Sequence, residues 1–137
     1  MIERTGQCLC GEVCYTLTGE PIATAVCHCK NCQRQSGSAF SLVVIARSSK
    51  VAIVGGLKTY LDTAESGAVL ERCFCPECGS ALFSRQPATP GITVLKAGTF
   101  DDTAWLQPQL HIWCNSAQSW VDIPQNLPHF PRNGPTG

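Results

Sequence analysis

Short runs rich in β-branched and aromatic residues recur along the chain, at 13–17, 40–46, 51–54, 57–61, 68–74, 92–97 and 109–114, with Gly, Pro, Ser or Asp between them. Runs of this length, broken by turn formers, predict antiparallel strands. One short helix is expected at 30–35, closed by Ser36-Gly37, because glycine readily takes the left-handed conformation that ends a helix. From Pro124 onward the chain carries four prolines and few core formers, which predicts a surface-hugging or frayed tail. The pattern describes a small, mainly β, antiparallel domain over residues 1–123 with little helix, followed by a Pro-rich tail over 124–137.

Composition narrows the chemistry. The 137 residues are 44% hydrophobic and 15% charged, enough for one core, and ten acidic against ten basic side chains leave a formal charge of zero. That balance offers no footprint for nucleic acid or an anionic membrane, so neither is expected as a partner. No apolar stretch resembles a signal peptide or a membrane helix, and a cytoplasmic protein is expected. In a reducing compartment ten cysteines read as metal ligands rather than disulfides.

Their spacing divides them. Cys75-Pro76-Glu77-Cys78-Gly79 has the form of a zinc knuckle: two thiolates from one turn, backbone amides facing the sulfurs, and a glycine that lets the chain leave at positive φ. Cys8 and Cys10, two apart in an extended segment, would share a face and complete a four-cysteine structural zinc site. Cys27, Cys29 and Cys32 form a second, three-cysteine group, and three ligands with one open position is the catalytic arrangement of zinc. His28 or Cys73 could instead close that group as a second inert site. Cys73 alone reads as a buried thiol, and Cys14 and Cys114, each without a second cysteine at ligand spacing, read as core thiols.

The remaining candidates are weaker. His28 lies between two proposed ligands and should point away from them. His111 alternates with Trp113 and would share its face, either lining a pocket or serving as an ordinary strand histidine, while His129 belongs to the tail. Asp101-Asp102 reads as a capping turn. No phosphate loop, nucleophile elbow or nicotinamide fingerprint occurs, which leaves zinc and thiol to carry any reaction.

Taken in order, Gly6-Gln7-Cys8-Leu9-Cys10-Gly11, Cys27-His28-Cys29-Lys30-Asn31-Cys32-Gln33-Arg34, Phe74-Cys75-Pro76-Glu77-Cys78-Gly79-Ser80, Lys96-Ala97-Gly98-Thr99-Phe100-Asp101-Asp102 and His111-Ile112-Trp113 resemble the glutathione-dependent formaldehyde-activating enzyme family, which includes centromere protein V. The resemblance implies a β-tent-like fold with two zinc ions, structural on Cys8, Cys10, Cys75 and Cys78, catalytic on Cys27, Cys29 and Cys32. It implies a carbon-sulfur lyase that joins glutathione, or a related small thiol, to an aldehyde as in S-hydroxymethylglutathione. Cys73 departs from the family pattern.

On this reading Phe40, Trp113 and His111 are candidates to line the pocket, and Arg34, Arg47 and Arg72 to meet the glutathione carboxylates. Two other classes of function stay open: a zinc-stabilised binding module without catalysis, and a redox sensor that releases zinc when the three-cysteine group is oxidised.

Overall fold

The computed structural model of the chain describes residues 1–133. Its ten strands are β1 (Glu3–Gln7), β2 (Cys14–Thr18), β3 (Ala23–Cys27), β4 (Ser41–Arg47), β5 (Val51–Val54), β6 (Lys58–Thr63), β7 (Val69–Phe74), β8 (Ala81–Arg85), β9 (Ile92–Lys96) and β10 (Leu110–Ile112). Among the described residues the one α-helix, α1 (Lys30–Ser36), follows β3 and closes on Gly37 at φ 65°. The chain is mainly β, and each expected strand has its counterpart.

The strands form two sheets, ordered β1-β2-β5 and β10-β3-β4-β9-β8-β7-β6. All pairings are antiparallel except that of β10 with β3. Three strands escape the apolar pattern. β1 is polar, β3 is a short run of small residues buried on both faces, and β8 directly leaves the second cysteine knuckle.

Strand partners directly opposite share a sheet face, so the ladders sort the large sheet into two sides. One row runs through Cys73, Phe83, Leu95 and Val44; together with Tyr15 and Leu17 of the small sheet and with Leu82 these residues form the main core. The alternate positions, Cys27, Ser41, Val43, Lys96, Val94, Ser84 and Arg72, lie on the other side. Chemistry-bearing residues therefore occupy the face that the main core does not use.

Of the tail expected from Pro124 onward, residues 134–137 lie outside the described residues. The stretch before them runs along β10: the His111 amide donates to Pro128 O at 3.0 Å, the Phe130 amide to His111 O at 3.0 Å and the Trp113 amide to Arg132 O at 2.9 Å.

Candidate metal centres

The first group assembles at the junction of the two sheets. Cys8 follows β1, Cys10 lies in the turn after it, and Cys75 and Cys78 lie in the turn between β7 and β8; their four sulfurs all fall within 4.8 Å of one another. Cys8 and Cys10 converge through that turn, not through strand alternation as the spacing suggested: Cys8 is buried, Cys10 exposed, and their sulfurs are 3.6 Å apart.

The knuckle is as expected. Gly79 takes φ 77°, its amide donates to Cys75 O at 2.9 Å, and the Glu77 amide points at the Cys75 sulfur at 3.4 Å. A register shift between Cys73 and Phe74 turns β7 into the knuckle. Ser80, 3.2 Å from the Cys78 sulfur, helps hold that thiol down to about 5. At Cys10 a backbone hydrogen bond from Glu12 is overcome by partial desolvation together with the three neighbouring sulfurs, and its thiol, although the residue is exposed, is pushed up to about 12.

The second group lies on the opposite side of the large sheet. Cys27 ends β3, Cys29 caps α1 by accepting the Cys32 amide at 3.2 Å, and Cys32 sits in the first turn of the helix. Their three sulfurs also fall within 4.8 Å of one another. Cys32 is held down to about 2, first by hydrogen bonds from Cys27 and Cys29, against its burial, with help from the charges of Lys96 and Arg72. Cys27 is pushed up by its hydrogen bonding to Cys29 and Cys32 and by burial.

In both groups some thiols give up their protons easily only because others keep theirs. Packed thiolates repel one another, and a soft divalent cation among them removes that conflict. The donor sets fit zinc: four sulfurs in one group, three in the other.

Neither candidate for closing the second group joins it. Cys73 faces the main core and its sulfur lies 3.6 Å from Thr59 Oγ1. His28 points away from the sulfurs as expected and is fully buried: its Nε2 lies 2.9 Å from His111 Nδ1 and the two rings stack. Among the described residues, no His, Cys, Asp or Glu donor atom completes the three-sulfur group.

The predicted pocket lining divides. Trp113 is buried against Cys27 and Cys29, but His111 does not share its face, because Trp113 takes the left-handed conformation at φ 56° and breaks the strand alternation. His111 and Phe40 line a separate apolar cleft of about 400 Å³ with Val26, Leu42 and Leu127. Cys14 is exposed and Cys114 partly exposed, so neither is the core thiol that its apolar surroundings suggested.

A larger cleft of about 690 Å³ is walled by Gln35 and Ser36, by Ser80, and by Tyr60, Arg72 and Lys96; no cysteine lines it, and it meets the three-cysteine group through Arg72 and Lys96, whose charges act on Cys32. Arg34 and Arg47 are exposed and do not line it. Arg72 is 5% exposed and donates from Nε to Asp62 at 2.8 Å. Lys96 stands in one of the family-like segments but is not among the pocket residues expected from the sequence; its signal is a lysine at the end of a largely apolar strand.

Comparison with known proteins agrees with the sequence resemblance. The model of the glutathione-dependent formaldehyde-activating enzyme family matches residues 3–116. Proteins named as candidate enzymes of this kind include one from Talaromyces marneffei, 27% identical over 80% of this chain and 60% of its own length, and one from Podospora anserina, 30% identical over 82% and 54%. One from Halomonas elongata is 26% identical over 86% of this chain and 79% of its own length. The chain thus spans little more than half of the two fungal relatives. A crystal structure of a Rhodobacter sphaeroides protein shares the fold, with TM-score 0.55 and 21% identity over 76% of this chain and 91% of that one. By its cysteine clusters and by a match over most of its length, the chain belongs to the glutathione-dependent formaldehyde-activating enzyme family.

Proposed function

We propose that the chain is a zinc-dependent enzyme of carbon-sulfur bond formation and cleavage, acting on glutathione or a related small thiol and an aldehyde. Cys8, Cys10, Cys75 and Cys78 hold a structural zinc ion that ties β1 to the β7–β8 turn. Cys27, Cys29 and Cys32 hold a second zinc ion and leave one position for substrate. The observation that carries this reading is the convergence of three sulfurs, with no His, Cys, Asp or Glu donor among the described residues to complete them, and with Arg72 and Lys96 of the larger cleft acting on Cys32.

A zinc ion bound there supplies Lewis acidity, keeping a substrate thiol deprotonated at neutral pH. Three thiolates leave such a centre anionic, and Arg72 and Lys96 offset that charge from the cleft. Trp113 shields Cys27 and Cys29 from water. In the reaction, the thiol sulfur bonds to the aldehyde carbon as the carbonyl π bond breaks, and the carbonyl oxygen takes up a proton; cleavage is the reverse.

Magnetization-exchange NMR on glutathione and formaldehyde tests this directly. The zinc-loaded protein should accelerate interconversion with S-hydroxymethylglutathione, and Cys29→Ser should reduce it to the uncatalysed rate. No acceleration by the wild type would overturn the proposal.

A further inference from the structure

The seven-stranded sheet brings one cation to the three-cysteine group by register alone. Cys27 on β3 lies directly opposite Ser41 on β4, and Lys96 on β9 lies opposite Val43, two residues along the same face. The Lys96 ammonium spans that step and donates to Ser41 Oγ at 2.7 Å. Ser41 is itself 3% exposed, so the lysine head is tethered at a fixed place rather than left to wander in solvent.

Lys96 differs from the other cation of the cleft. Arg72 is buried and already paired with Asp62, whereas no carboxylate among the described residues lies within ion-pair distance of Lys96. Lys96 lines the open cleft, its charge acts on Cys32, and its ammonium makes one hydrogen bond, to the Ser41 hydroxyl, which leaves two donors for a ligand. A neutral acceptor would meet those donors without a counter-charge, whereas an anionic one would add its charge to the hydrogen bond and make it stronger.

We propose that Lys96 anchors a carboxylate, so that the cleft selects small thiols carrying one: the sulfur is directed to the Cys27, Cys29 and Cys32 group and the carboxylate to Lys96 Nζ. This rests on the reading of that group as a thiol site. It assigns the specificity to Lys96 and Ser41, rather than to Arg34 or Arg47.

The test compares N-acetylcysteine with N-acetylcysteine amide, which differ at the carboxylate, as ligands of the zinc-loaded protein by native mass spectrometry and calorimetry. The wild type should prefer the acid by about tenfold, the scale of one charge-assisted hydrogen bond. Lys96→Gln should bring the ratio of the two affinities close to one, and Lys96→Arg should keep most of the preference. Zinc content and circular dichroism of each variant verify that the fold is retained, and the wild-type comparison stands without any variant. Binding of both thiols by the wild type without preference would overturn this inference alone, as would a preference unchanged in Lys96→Gln. Binding of neither thiol would overturn the thiol reading and this inference with it.

Discussion

Nε2 of Gln33 donates to the main-chain oxygen of His28 at 2.8 Å, so the helix that follows the three-cysteine turn reaches back and holds that turn in place. The same nitrogen donates to Ser116 O at 2.9 Å, and Gln118 donates to Gln33 Oε1 at 2.7 Å. One buried amide thus ties the turn to the segment after β10.

Truncating Gln33 to Ala leaves two carbonyls without their partner in a buried place. The expected loss of stability is about 2–3 kcal/mol, measured by urea denaturation, with faster zinc loss to a chelator from the three-cysteine group than from the four-cysteine group.

Gly6 permits the small sheet to close over Tyr15. A Cβ there would lie 2.3 Å from Tyr15 Cζ and 2.7 Å from Thr99 O, whereas one at Gly56 would meet nothing within 4 Å. Gly6→Ala should cost at least about 1–3 kcal/mol, the range for overpacking, and Gly56→Ala should be nearly neutral in the same thermal melts.

Tyr15 should titrate late. Burial, opposed by its hydrogen bond to Thr99 and reinforced by the charge of Asp101, raises its phenol from 10.0 to about 12. A folded-state value above the unfolded one means that this contribution to stability is complete below pH 10.0 and is lost as pH rises through about 12. Ultraviolet titration of wild type against Tyr15→Phe should place the Tyr15 component near the upper value; a midpoint at the ordinary tyrosine value would contradict the packing.

Cys73 and Cys75 are two residues apart and both pack in the main core, but only the Cys75 sulfur joins the four-cysteine group. Cys73→Ala should cost about 1 kcal/mol, a small core truncation, and leave metal content unchanged. Cys75→Ala should remove one zinc ion and with it much of the folding free energy, read by metal analysis and denaturation.

Much of this was legible in the sequence because cysteine spacing is local. The knuckle 75–78 needs only its own four residues and Gly79, and the apolar runs fixed seven strands by their length and flanking turn formers. What was not legible depends on register. Lys96 meets Ser41 because β9 pairs with β4, and it comes near Cys27 only because β9 and β3 flank that strand, while His111 parts from Trp113 because one residue leaves the β region. Cys14 reads as a core thiol from its apolar neighbours, but strand alternation turns it outward while Tyr15 and Leu17 enter the core. Small polar strands such as β1 are held by the partners they meet, which a linear pattern does not contain.

The central claim is that the chain holds two zinc ions, one closed and one open to thiols. Native mass spectrometry of wild type and Cys29→Ser, each with and without reduced glutathione, tests it most directly. The prediction is two zinc ions in the wild type, one in the variant, and a glutathione adduct only in the wild type. A single zinc ion in the wild type, or two with no adduct at any glutathione concentration, would contradict it.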